Sequence, residues 1–514
     1  MESNFFRTFF KTNQIMSSKR FFLFLFLLAG LQFSKAQSSP DRLDAMIRQG
    51  LEDWHIPGLA AVVVKDGEIA FSQVYGVGDV KTGTPVDRQT LFNMGSTTKA
   101  VVCMALGILV DQGKLSWDDK VRDHLPEFRL SDPYITEEAR VKDLLTHNLG
   151  IAQADLIWVL DSVSTGETLR RFALAKKAYP VRGGYQYNNL MYAAAGEVIQ
   201  AVSGKHWTEF VREELFVPLG MTRTVAKVSD IFNSGNYVTP YFYEEGSGFI
   251  AVPYNRSDQI GAAGMIWTCA ADMENYLRFL VDGGSFNQQE ILKPETFSYL
   301  FKPHALLPES DFYPTRQLTS PNWLSYGLGW FQHDYRGHKL DFHTGSIGGL
   351  IAIAGIMHDK KTAVYVLANR DHAELRHAIL YQALDLWAFG DSTRDWHREI
   401  FDLYEGMRKQ GEAREQEQLE KRVQKTQTSL PREAYSGTYS HPMLGEVKVS
   451  SEQEGMQLRF NDFVSFKAQH WHYDTFRLLP DNRYRFEGLF DFHLGTDGSV
   501  SELEAFGERF AKVN

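Results

Sequence analysis

The stretch that most constrains the fold is Phe92-Asn93-Met94-Gly95-Ser96-Thr97-Thr98-Lys99, because it runs into the strongly apolar residues 100–111, which end at Gln112-Gly113. That run predicts a helix under which other groups are buried. Ser96 and Lys99 stand three positions apart, so at a helix start they share one face, a turn from each other. A serine hydroxyl is a poor nucleophile until a base takes its proton. A lysine serves as that base only when desolvated and neutral, and burial under so apolar a helix supplies that pressure. The ordinary alternative is a helix N-terminus carrying Ser and Thr caps, with Lys99 exposed. A Ser-x-x-Lys spacing arises by chance about once or twice in a chain of this length, so the pair needs company.

The chain has 514 residues, 43% of them hydrophobic and 13% aromatic, enough for two or three domains and a substantial core. A net charge of −10 argues against nucleic acid as a partner. Lys19-Arg20 precede the apolar run 21–31, and Ser34-Lys35-Ala36 offers small residues at cleavage positions. This predicts a signal peptide over residues 1–36 and a periplasmic or secreted protein. The run is too short to span a bilayer comfortably, so no stable membrane span is expected after cleavage, an uncleaved anchor being the alternative. No cysteine stands directly after it, which argues against a lipid-modified terminus. Cys103 and Cys269 are too few for a disulfide scaffold. Cys103 reads as a small buried apolar residue, and a bridge between the two stays open.

Residues 41–54 read as a helix, with Leu43, Met46, Ile47 and Leu51 at helical spacing, broken by Pro57. Two apolar runs, 59–64 and 69–74, around Asp66-Gly67 read as a hairpin. Helices are expected at 169–178, 191–202, 270–280 and 373–388. A second hairpin is expected from 350–357 and 362–369. Tyr326-Gly327-Leu328-Gly329-Trp330 and Phe342-His343-Thr344-Gly345-Ser346-Ile347-Gly348-Gly349 each read as opening a strand. Helices around antiparallel hairpins place residues 37–395 in the α+β class. Residues 396–430, rich in Glu, Gln, Lys and Arg, read as a solvated helical linker with a break at Gly411. From Pro431 to the C-terminus, short alternating segments, one of them at 483–486, predict a small β-sheet or barrel domain.

Between two of these helices lies Gly183-Gly184-Tyr185-Gln186-Tyr187-Asn188-Asn189-Leu190, a loop entering a helix. Tyr187 and Asn189, two apart, can face the same way: a phenol shuttles a proton, an amide both donates and accepts. Turn chemistry is their plainer reading. His147, in Leu144-Leu145-Thr146-His147, is a candidate acid/base residue but fits a hydrogen-bonded structural histidine better. His470 and His472 could share a strand face, yet no third metal ligand stands at suitable spacing, so no metal site is expected.

Taken in order, Ser96-x-x-Lys99, Tyr187-x-Asn189 and His343-Thr344-Gly345 resemble the serine β-lactamase and penicillin-binding-protein-like family on its class C side. The resemblance covers roughly residues 40–390, and residues 144–147, 261–264 and 326–329 also look like family stretches. The C-terminal region resembles the lipocalin-like β domain often appended to such hydrolases. The resemblance implies an antiparallel sheet flanked by helices and an acyl-enzyme on Ser96. Lys99 and Tyr187 would exchange protons, which of them is the acylation base being open. Asn189, His343, Thr344, Gly345 and Ser346 would bind substrate, with the N–H groups of Ser96 and Ser346 as oxyanion hole. It implies no metal and no cofactor. Many penicillin-recognising members have lysine where this chain has His343. With an unperturbed pKa of about 6.5, histidine is mostly uncharged above neutrality, which shifts expectation from β-lactams toward peptidase or esterase activity. The expected partner is a small-molecule or peptide substrate, and oligomeric state is not legible. A different class, a non-catalytic sensor of penicillins or peptidoglycan fragments, would use the same cleft. No Gly-x-Ser-x-Gly elbow supports an α/β-hydrolase route.

Overall fold

A computed structural model describes residues 37–452, 455–480 and 487–513. The expected signal segment 1–36 and the expected strand at 483–486 lie outside the described residues. The chain begins with helix α1 (Ser39–Asp53), capped by Ser38, and enters strands β1 (Gly58–Lys65) and β2 (Glu68–Asp79). It continues through helices α2 (Thr98–Asp111), α3 (Asn189–Ser203) and α4 (Ala270–Val281). Strands β3 (Leu324–Tyr326), β4 (Phe331–Tyr335), β5 (His338–Ile347), β6 (Leu350–Met357) and β7 (Thr362–Ala368) follow, then helices α5 (Leu375–Leu384) and α6 (Trp396–Glu420).

The large sheet runs β3-β4-β5-β6-β7-β1-β2, extended by the short strands Ala305–Leu306 and Thr84–Pro85 at its edges. Every pairing in it is antiparallel. β1 shows why its sequence is apolar without alternation: Ala60, Val62 and Val64 face one core, while Leu59, Ala61 and Val63 face another. A sheet buried on both faces demands such a run. Helices α1, α5 and α6 cover one face; α4, with α2 and α3 behind it, covers the other. α2 is buried from Thr98 to Leu109, which carries Lys99 inside.

Several expected boundaries move. The helix read at 169–178 is Thr165–Phe172, because the Ser164 hydroxyl caps it by accepting from Glu167 N at 3.3 Å. Residues 326–330 close β3 and turn into β4 rather than opening a strand. Gly329, at φ +81°, lies so close to the backbone of α2 that a Cβ would sit 2.9 Å from Ala100 N. The His343 motif lies toward the end of β5, not at its start. α6 continues through Gly411 without a break, and its first turn is not solvated. Trp396 is fully buried, stacked on Tyr381 at 4.6 Å, and donates to Asp385 Oδ2 at 2.7 Å.

Beyond residue 430 the described residues form a closed eight-stranded antiparallel barrel, from Gly437–His441 round to Glu508–Lys512. The barrel meets the sheet domain where Asn461 Nδ2 donates to Leu160 O at 3.1 Å. His470 and His472 are spent locally, on Tyr473 O at 2.9 Å and Val423 N at 3.3 Å. Cys103 and Cys269 are both buried free thiols, each pushed up to about 12 by burial. No helix among the described residues is long and apolar enough to cross a membrane.

Candidate active site

Ser96 sits on the 3-10 turn Gly95–Thr97 that leads into α2. Gly95 holds φ +51° there, and its N–H donates to Asn93 Oδ1 at 2.6 Å. The turn lies directly against β5. A Cβ on Gly95 would fall 2.7 Å from Ser346 N, and one on Gly345 only 2.0 Å from Met94 O. Two glycines therefore let the backbones around Ser96 and Ser346 meet, an approach that side chains would prevent.

Lys99 is fully buried. Its Nζ lies 3.1 Å from Ser96 Oγ, 2.8 Å from Asn189 Oδ1 and 2.8 Å from Ala263 O. The two oxygens from Asn189 and Ala263 only accept, so they take two N–H bonds. The third direction points at the Ser96 hydroxyl: a neutral amine directs its lone pair there, an ammonium a proton. Burial brings Lys99 down from 10.5 to about 7, opposed by the nearby Asp155 charge.

Tyr187 and Asn189 enter from the loop before α3. The Tyr187 ring centroid is 4.9 Å from Lys99 Nζ. Burial pushes its phenol well above 10, with the Ser96 hydroxyl pulling it back, so it stays protonated near neutrality. His147 packs under that ring at 4.2 Å and accepts from Asn188 N at 3.0 Å through Nδ1, the structural role that suits it. Asn189 Nδ2 donates to Asp155 Oδ2 at 2.9 Å, which turns its Oδ1 toward Lys99.

The β5 residues are more committed than expected. His343 is buried, with Nδ1 2.6 Å from Thr344 O and Nε2 2.9 Å from the Tyr326 hydroxyl. A carbonyl only accepts, so Nδ1 carries the hydrogen and Nε2 receives Tyr326 O–H. Burial and the Lys99 charge bring this ring down to about 3, so it is uncharged at neutral pH. Thr344 Oγ1 lies 2.6 Å from the Tyr313 hydroxyl. Gly345 O and Ser346 Oγ accept from Arg376 Nη1 at 2.6 and 2.9 Å.

A cleft opens over Ser96 in two arms. One, of about 530 Å³, is lined by Tyr187, Asp311, Phe312, Tyr313, Phe331 and Thr344; the other, of about 280 Å³, by Asp155, Trp158, Asn255, Ile347 and Gly348. Ser96, Asn189 and Ser346 border both. Sequence reasoning missed Asp155, Tyr313 and Arg376. Asp155 and Tyr313 stand in loops without periodicity, and Arg376 stands in a mainly apolar helix, where its charge was the available signal.

The family described as Beta-lactamase matches residues 43–386, and a domain of unknown function (DUF3471) matches residues 421–512. Unguisins hydrolase ungD' of Aspergillus campestris is 27% identical over 82% of this chain and 80% of its own length. Protein flp of Staphylococcus aureus (strain COL) is 25% identical over 64% of this chain and 63% of its own. The octameric penicillin-binding protein homologue from Pyrococcus abyssi shares the fold at a TM-score of 0.59, covering 92% of this chain and 99% of its own, with 21% identity. With the family model matching most of the sheet domain, the chain belongs to the β-lactamase family and is a serine hydrolase of the β-lactamase-related type.

Proposed function

We propose that the protein hydrolyses an amide or ester through an acyl-enzyme on Ser96, with Lys99 as the base of acylation and Tyr187 as the proton donor. The observation that carries this is the Lys99 environment: a buried amine near pKa 7 with two hydrogens placed on Asn189 and Ala263 and Ser96 in the third direction. Ser96 Oγ bonds to the substrate carbonyl carbon as its proton passes to Lys99 Nζ. The carbonyl electron pair moves onto oxygen, facing the N–H groups of Ser96 and Ser346. As that pair returns, the bond to the leaving group breaks. The departing atom takes a proton from the Tyr187 hydroxyl, which Lys99 replaces. Water then repeats the sequence: its proton goes to Lys99, its oxygen bonds to the acyl carbon, and Ser96 leaves with a proton. Every proton is returned, and the net change is hydrolysis.

The protein acts outside the cytoplasm in this reading, supported by the basic, apolar and small-residue order of residues 19–36. Fractionation with antibody detection tests that: full-length protein retained in the cytoplasm contradicts it. Intact mass after a brief exposure to a penicillin or a fluorophosphonate tests the nucleophile. An adduct on the wild type and none on Ser96→Ala is expected. Equal labelling of both proteins contradicts Ser96 as nucleophile.

A further inference from the structure

The arm of the cleft that would hold the leaving group is identified by Tyr187. Resting on the acyl-enzyme reading above, the departing atom must lie beside the Tyr187 hydroxyl, and Tyr187 lines the larger arm but not the smaller. The basic side chains close to that arm are already occupied. Both ring nitrogens of His343 are engaged, one with Thr344 O and one with Tyr326. The Thr344 hydroxyl is paired with Tyr313 at 2.6 Å. Arg376, behind β5, is fixed on Gly345 O and held by Glu374 through Nε at 3.0 Å and Nη2 at 2.9 Å. Among the described residues, no lysine or arginine lines this arm, whereas the exposed Asp311 does.

We propose that the larger arm rejects a leaving group bearing a free carboxylate and accepts a neutral one, with Asp311 as its specificity-determining residue. The preferred scissile bond is then an internal amide or an ester, rather than the bond to a C-terminal residue with a free carboxylate. A carboxylate entering the arm leaves water to face the Asp311 charge, without a cation in exchange.

Two acetyl esters that generate the same acyl-enzyme test this: 3-carbamoylphenyl acetate and 3-carboxyphenyl acetate, each normalised to its rate of alkaline hydrolysis. The neutral ester should show a kcat/KM about tenfold or more above the carboxylate ester. The ratio should narrow by about threefold in Asp311→Asn, and also in ~0.5 M salt, which screens an exposed charge. Equal or faster turnover of the carboxylate ester overturns the proposal, as does a ratio that neither Asp311→Asn nor salt changes. Ser96→Ala distinguishes the other failure: if both esters are cleaved as fast by that variant as by wild type, the acyl-enzyme reading falls, and this inference with it.

Discussion

Lys99 and Arg376 are both buried basic side chains placed against the loop and strand that frame Ser96, yet their surroundings differ in one respect. Arg376 meets Glu374 in a paired fork and gives its Nη1 hydrogens to backbone and Ser346. Burial pushes the Glu374 carboxyl up, but Arg376 and His377 overcome that and hold it well below the usual carboxylate range. That pair is permanent and structural: it fixes the end of β5. Lys99 has no carboxylate in contact, only the amide of Asn189, a carbonyl and Ser96. Its largest influence of opposite sign, Asp155, acts across Asn189. Burial with a counter-ion preserves charge; burial without one releases a proton and leaves a base.

The largest effect that would break this comparison is chemical. Lys99→Met should lower kcat/KM for an aryl ester by about two to four orders of magnitude, the range for loss of a positioned base, in protein whose circular dichroism is unchanged. Retention of wild-type activity would show another base. Next comes the counter-ion: Glu374→Gln strands Arg376 in the interior and should cost about 3–5 kcal/mol of unfolding free energy, read by urea denaturation. A loss as small as that of a surface exchange would make the pair incidental.

Lys99→Met should move stability the other way. Between about pH 7 and 10.5 the unfolded chain holds a proton on Lys99 that the folded chain has released. Folded stability therefore rises with pH across that window, and the penalty of burying Lys99 is complete below it. Replacing Lys99 should then stabilise by a few kcal/mol below pH 7, at most about 5, since the fall from 10.5 to about 7 is three and a half tenfold losses of proton affinity at about 1.4 kcal/mol each. The gain should fade as the pH approaches 10.5. Unfolding curves at several pH values would show it, and a pH-independent difference would contradict it. The smallest effect concerns Asp155→Asn, which removes the charge supporting protonated Lys99 and leaves one acceptor oxygen where two stood beside Asn189. We expect about a tenfold loss in kcat/KM, with the acid limb of the pH profile moved to lower pH by less than about 1. An unmoved or raised limb would exclude Asp155 from this role.

What the sequence shows and hides follows the same division. Ser96, Lys99, Tyr187 and Asn189 are legible because a helix start or a glycine-rich loop fixes their spacing locally. Their convergence on one amine is a tertiary fact, but short motifs carry it. Asp155 and Tyr313 gain their roles only when α3 and β5 arrive beside them, and no local pattern announces that. The 326–330 stretch misleads because its glycines look like a strand entry, while Gly329 serves the close packing of a turn against α2 and Gly327 lies against the backbone at Leu300. Trp396 reads as linker by its neighbours' charge, although its own ring belongs to the core around Tyr381. The barrel strands, by contrast, show as short alternating segments, because each has one face in a small core and one in water.

The most direct measurement is the pH dependence of Ser96 acylation itself, followed as the pre-steady-state burst from p-nitrophenyl acetate. A neutral Lys99 taking the Ser96 proton predicts a rate that rises through a midpoint near 7 and stays level above it, since Tyr187 keeps its proton well above 10. A burst that falls with pH, or is flat through the same range, would contradict Lys99 as the base.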